Sequence, residues 1–215
     1  MKKSPSEPSA STRKPPKRRF SGLAHAPREV RIIGGIYKRS KLPVADRPGL
    51  RPTPDRVRET LFNWLAHLAG PEMTGWQCVD AFAGTGALGL EAASRGAAQV
   101  TLVENDPGLV AQLKAIKEKL SADAVQLVRG DGVVFLRGLP AGRTNLIFLD
   151  PPFDAGLFEA ALLAGRQAVS DQGWIYLEAP EAWTDEVLAP FGLRVYRHLK
   201  AGAVHAHLLQ VASAA

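Results

Sequence analysis

Apolar and polar positions along this chain change period several times, and the changes mark out its elements. From Trp76 onward, short apolar runs at about 77–82, 100–104, 124–129, 145–149 and 173–178 alternate with stretches whose apolar residues recur at helical spacing. Runs of that kind suit strands buried on both faces, and their interleaving with helices predicts an α/β fold with a parallel sheet covered on both sides. Near the end, Leu193 to His198 and Val204 to Val211 are separated by Lys200-Ala-Gly202, which predicts a closing antiparallel hairpin rather than another crossover. Upstream, Val30 to Ile33 and Ile36 to Leu42 flank Gly34-Gly35, a pattern that reads as an N-terminal β-hairpin turning on the two glycines. After a linker from Pro43 to Arg51, Thr53 is placed to cap a helix with Pro54 in its first turn and Val57, Leu61, Leu65 and Leu68 in one stripe. The expectation is a single domain over residues 29–215, with the hairpin and first helix (29–70) included. Residues 1–28 have too few apolar side chains to offset the entropy cost of ordering, and read as a flexible basic tail.

Charge changes this picture, because it is unevenly divided. Residues 1–58 hold 16 Lys or Arg against 4 Asp or Glu, whereas the remainder holds 11 against 17, within a whole-chain net charge of +6. A cationic arm of this kind suggests a polyanionic partner, since basic side chains that neutralise phosphates release condensed counterions. For residues 1–28 a solubilising tail is an equal alternative. For the hairpin, where Arg31, Lys38, Arg39 and Lys41 alternate with apolar residues, nucleic acid is favoured. The single cysteine, Cys78, excludes an internal disulfide and a Cys-based zinc cluster; no metal is expected, and a reducing cytoplasm fits. The apolar stretch Ala81 to Leu90 falls well short of the roughly 20 residues a membrane span requires, so no membrane partner is expected.

Ligands of doubly wound sheets bind at the carboxyl ends of the strands, and there the sequence places Asp80, Glu104, Asp131 and Asp150. The first strand runs into Asp80-Ala-Phe82-Ala-Gly84-Thr-Gly86-Ala-Leu-Gly89, whose glycines let the backbone turn tightly and approach a ligand. The same spacing fits a dinucleotide fingerprint, with Glu104 placed for a ribose hydroxyl, so a nicotinamide or flavin enzyme has to be considered. A pyrophosphate over this loop would, however, meet the like charge of Asp80. S-adenosylmethionine has no phosphate; its ammonium and sulfonium are attracted to Asp80, while Glu104 can accept from the ribose hydroxyls and Asp131 from the adenine amino group. Phe82, Gly84, Gly86 and Asn105 complete the candidate cofactor set. That Asp80 or Asp131 merely caps a helix is a competing reading for each residue alone.

Asp150-Pro151-Pro152-Phe153 follows the apolar strand Asn145 to Leu149 and separates reaction types. Two prolines fix the backbone and remove two N–H donors. The Asp150 carboxylate and the Pro151 carbonyl then form a rigid acceptor pair. An aromatic amino group needs such a pair, because its lone pair is delocalised into the ring; accepting both N–H bonds favours a more tetrahedral nitrogen and aims the lone pair at an electrophilic methyl. Phe153 can stack on the base, and such positioning can supply roughly 7–11 kcal/mol of a barrier. The plainer alternative is a Pro-Pro turn that ends a strand, with Phe153 in the core.

Four stretches together resemble the RsmD family, bacterial small-subunit (16S) ribosomal RNA guanine-N2 methyltransferases: Arg31 to Gly35, Arg51 to Phe62, Asp80 to Glu91, and Asp150 to Phe153. The resemblance covers about residue 29 to the C-terminus. It implies the Rossmann-like class I S-adenosylmethionine-dependent methyltransferase fold, with a mostly parallel seven-stranded sheet, and methyl transfer to one guanine of ribosomal RNA in the small ribosomal subunit. It also implies that Arg51, Thr53, Arg56 and Arg58 lie near the cleft and the RNA. Two other readings stay open on the residues alone: amino methylation of adenine in DNA, and a ribosome-assembly binding protein whose catalysis is incidental.

Overall fold

The computed structural model describes residues 29–47, 52–70, 72–153 and 156–212. The expected flexible tail at 1–28, and Arg51, lie outside them. Nine strands and six α-helices follow in chain order among the described residues: β1 Glu29–Arg31, β2 Lys41–Pro43, α1 Asp55–Ala69, β3 Gln77–Asp80, α2 Ala87–Ser94, β4 Gln99–Glu104, α3 Pro107–Leu120, β5 Val125–Arg129, α4 Gly132–Arg137, β6 Thr144–Leu149, α5 Phe158–Ala168, β7 Val169–Ala179, α6 Asp185–Leu188, β8 Leu193–Ala201 and β9 Val204–Val211. β3 to β9 form one seven-stranded sheet in the order β5-β4-β3-β6-β7-β9-β8. Pairing is parallel from β5 through β7 and antiparallel for β7–β9 and β8–β9. The expected fold, a mostly parallel sheet with a terminal hairpin, is present. Strand order reverses between β3 and β6, which makes the crevice at their carboxyl ends the natural ligand site.

Alternation along the strands divides the core into two layers. Cys78, Leu146, Phe148, Tyr176 and Leu208 face α1, α2 and α3. Val79, Ile147, Leu149, Ile175, Leu177 and Leu209 face α4, α5 and α6. Burying each such side chain contributes roughly 1.5–3 kcal/mol, so both helical layers are held firmly. Asp80 continues the alternation of Cys78, Asp150 that of Phe148, and Glu178 that of Tyr176. Three acidic side chains therefore emerge at neighbouring strand ends on the α1 side of the sheet.

Three local expectations are corrected. β1 and β2 do pair, with Val30 opposite Leu42, but the chain does not turn on Gly34-Gly35; residues 32–40 form a longer loop. Those glycines serve a close approach instead. The Glu91 carboxylate of α2 accepts the N–H groups of Ile33 (2.7 Å) and Gly34 (2.8 Å), and a Cβ on Gly35, whose φ is +72°, would lie 1.7 Å from the Ser94 carbonyl oxygen. Thr53 does not cap α1: Pro54 holds the N-cap position with no side-chain bond, and Thr53 is buried, its carbonyl accepting from Arg58 Nε (3.3 Å). At the far end, Lys200 and Ala201 belong to β8, and Gly202-Ala203 alone make the turn.

Candidate active site

Asp80 ends β3 with 1% of its surface exposed. Its Oδ2 accepts the Gly89 N–H (3.0 Å), whereas Oδ1 is buried with no partner among the described residues. Burial outweighs the lowering influence of the Gly89 and Phe82 backbone N–H groups, and Glu104 and Glu178 add like charge, so the acid is pushed up to about 7. A buried acceptor in that condition is matched by a cation. The loop beyond it closes through glycine: Gly86 at the start of α2 has a φ of +78°, and a Cβ on Gly89 would stand 2.2 Å from Leu102. Phe82 is half-buried against the α4–α5 layer, and Gly84 donates its N–H to Glu104 Oε2 (2.8 Å).

Glu104 ends β4 and is itself a loop organiser. Its Oε1 accepts from the backbone of Asn105 and Asp106, both at 2.8 Å. A carboxylate has about four acceptor positions, so roughly one remains, on Oε2. The Asn105 side chain is exposed at this edge. Asp131 caps α4, its Oδ1 accepting the Val134 N–H (2.8 Å), which realises the capping alternative for one oxygen. Its neighbour Gly132 packs so closely that a Cβ would lie 2.0 Å from the Ala81 carbonyl oxygen, and this brings the Asp131 turn onto the glycine loop.

Asp150 follows β6, beside Glu178 by the register that pairs Leu149 with Leu177. Burial, then the charges of Glu178 and Asp80, hold its carboxyl well above the ordinary range. Pro151 is buried and Pro152 exposed. Phe153 is not core: it is 41% exposed, with its ring 6.2 Å from that of Phe158, which in turn lies 6.0 Å from Trp183. The Trp183 segment is pinned in place by its N–H, which donates to Nε2 of buried His207 (3.0 Å).

Glu178, which the strand-end reading missed, completes the acidic row. It is 3% exposed and accepts from the Tyr176 hydroxyl (2.8 Å), with buried Thr53 close by. The signal was available, since Glu178 closes the apolar run from Trp174 as Asp80 and Asp150 close theirs.

The basic candidates divide. Arg58 is a correction: it is fully buried, its Nη2 donating to the Arg31 carbonyl (2.7 Å) and Asp55 (2.6 Å) and its Nε to the Thr53 carbonyl (3.3 Å). It fastens α1 to β1 and faces no solvent-borne phosphate. Lys41 is exposed but matched by Glu29 at 2.8 Å. Arg31 is exposed on β1. Lys38 and Arg39 are exposed on the 32–40 loop, which is stapled to Ser94 at the end of α2 remote from Asp80. Arg56 is exposed on the first turn of α1.

Comparison with known proteins gives concordant results. Residues 30–210 match the family described as Conserved hypothetical protein 95. The protein "Ribosomal RNA small subunit methyltransferase D" of Escherichia coli K12 is 44% identical over 186 residues, covering 85% of this chain and 90% of its own. Its namesake from Haemophilus influenzae is 41% identical over 170 residues, covering 73% and 86%. Among solved structures, YhhF of Escherichia coli superposes with a TM-score of 0.72 at 41% identity, covering 86% of this chain and 99% of its own. A precorrin-6y C5,15-methyltransferase of Geobacter metallireducens, 18% identical with a TM-score of 0.58, shares the fold.

Proposed function

Because the chain belongs to the RsmD family, we propose that it is a ribosomal RNA methyltransferase that moves a methyl group from S-adenosylmethionine to the exocyclic N2 amino group of a guanine in the small ribosomal subunit. The observation that carries this reading is the pair of strand ends at the switch point: Asp80 and Asp150 on one face of adjacent strands, the first with a buried acceptor lacking a partner.

The residues fit the cofactor. S-adenosylmethionine supplies an electrophilic methyl on a sulfonium and brings an ammonium as well. Asp80 Oδ1 would answer the cationic part, the glycine loop would line it with backbone, and the remaining acceptor of Glu104 would take a ribose hydroxyl. Asp131 and Asn105 stand at the edge where the adenine would lie. A dinucleotide fits less well, because its pyrophosphate would have to sit beside an acidic row.

Asp150 and the Pro151 carbonyl accept the two N–H bonds of the guanine amino group and turn its lone pair toward the methyl. Methyl transfer forms the new N–C bond as the C–S bond breaks, and the nitrogen then sheds one proton. Asp150, an acid raised by burial and by Glu178, is a suitable acceptor for it. Phe153, exposed and next to Phe158, offers a face on which the extruded base stacks. A ribosomal substrate places this chemistry in the cytoplasm.

The test is methyl transfer from labelled S-adenosylmethionine to small subunits that lack the modification, compared with duplex DNA. Asp150→Asn should lower kcat by about 10²-fold or more while cofactor binding persists, since the loss is one of orientation and proton acceptance. Undiminished turnover would remove Asp150 from the assigned role. Label in DNA and none in subunits would overturn the substrate.

A further inference from the structure

Beside the acidic row, the start of α1 and the tip of the β8–β9 hairpin enclose a pocket of about 400 Å³, lined by Arg56, Val57 and Thr60 from the helix and by Leu199 to Gly202 from the hairpin. Its place in the fold follows from register. Lys200 pairs with His205, which pairs with Ala179, the neighbour of Glu178. Two interstrand spacings of about 4.8 Å separate Lys200 from Ala179, and Asp150 lies one strand further on. From the other side, Thr53, one turn before Val57, is buried close enough to Glu178 to influence its carboxyl. The pocket thus opens on the carboxyl edge of the sheet, where the reaction centre lies.

Two cations flank it with no acidic match. Arg56 and Lys200 are both exposed, and among the described residues neither is within ion-pair distance of a carboxylate. Three other basic side chains are instead paired with acids: Lys41 with Glu29 (2.8 Å), Arg95 with Glu91 (2.8 Å) and Arg47 with Asp106 (3.6 Å). Between the two cations lie Val57, buried, and Thr60, Leu199 and Ala201, half-buried, so apolar and polar surface both line the pocket. A concavity of mixed lining beside two exposed positive groups, with a volume in the range of small-molecule clefts, suits one nucleotide better than a helix. Arginine adds a planar fork for phosphate and a face for a base.

We propose that this pocket seats the phosphate and sugar of a nucleotide flanking the target guanine in single-stranded RNA, with Arg56 and Lys200 as its phosphate contacts. The assignment rests on the ribosomal RNA reading above and adds to it a place for the strand beside the extruded base. Enzymes that act on flipped bases read their context through such flanking nucleotides, and phosphate contacts fix register without reading sequence.

The experiment is steady-state methyl transfer to unmodified small subunits at several salt concentrations, with wild type, Arg56→Glu, Lys200→Glu, the double variant, and Lys119→Glu as an exposed basic control on α3. Each pocket variant should raise KM about threefold or more, and the double variant about tenfold or more. Each should also flatten the dependence of log affinity on log salt by about one unit. Lys119→Glu should leave both unmoved, and binding of S-adenosylmethionine should match wild type throughout, which shows that the variants are folded. Unchanged KM and salt slope in the pocket variants would overturn the proposal, as would an equal effect of Lys119→Glu, which would mark a general charge effect. Wild type that transfers methyl to subunits while the pocket variants do so unimpaired removes this site alone; wild type that transfers none removes the parent reading too.

Discussion

Asp80 is the residue on which the electrostatics of the site turns. A carboxylate at the mouth of a glycine loop distinguishes a cationic ligand from a pyrophosphate, and that much was legible in the sequence. Its degree of burial was not, because no local pattern reports that Gly89 satisfies Oδ2 while Oδ1 is left without a partner among the described residues. The consequence is a pH dependence. Its folded value of about 7 exceeds the ordinary 3.8, so the ligand-free fold holds this proton more tightly than the unfolded chain does. The associated stability is complete below the ordinary value and is lost as pH rises through about 7. A cationic ligand selects the ionised form, so calorimetry should find affinity for S-adenosylmethionine rising about tenfold between pH 5.5 and 7, with a proton released on binding. Affinity that is flat over that interval would remove Asp80 as the ammonium's partner. Glu178 acts on Asp150 in a comparable way. Glu178→Gln keeps an acceptor for the Tyr176 hydroxyl but removes like charge beside Asp150. The acid limb of the kcat–pH profile should therefore move to lower pH, and an unmoved limb would confine Glu178 to a packing role.

Elements were read better than their joints. Strand positions, the alternation with helices and the closing hairpin all followed from hydrophobic period, because a sheet buried on both faces forces apolar runs. The joints failed where tertiary contacts overrode local chemistry. Gly34-Gly35 has the composition of a hairpin turn, yet it lies on α2 by Glu91 and Ser94, and Thr53 has the composition of an N-cap, yet it is buried and Pro54 takes that position. Arg58 carried an unread signal. With Leu61, Phe62 and Leu65 it shares one face of α1, and that face is buried. Truncating a buried ion strands its partners, so Arg58→Met should cost roughly 3–5 kcal/mol in denaturant unfolding. Arg56→Ala, two residues away on the exposed face, should stay within about 0.5 kcal/mol. Equal effects would contradict the division between a fastening arginine and a surface one.

At the scale of the whole molecule, the switch between β3 and β6 and the mixed edge at β7–β9–β8 place every acidic strand end on one rim. The uneven charge along the chain suggested a polyanion, but the fold redistributes it. Lys41 is neutralised, Arg58 is interior, and Lys200, from the acidic remainder of the chain, joins Arg56 beside the cleft. No linear reading of charge could have placed Lys200 there, because its position depends on the register of β8 on β9 and β9 on β7. In the function proposed above, this rim delivers a methyl group to a guanine amino nitrogen in small-subunit RNA. The most direct test is to incubate wild-type protein with unmodified small subunits and methyl-labelled S-adenosylmethionine, digest the RNA to nucleosides and identify the labelled product. N2-methylguanosine at a single position is the predicted result; label on a ring carbon, on a ribose hydroxyl or on adenine would contradict it.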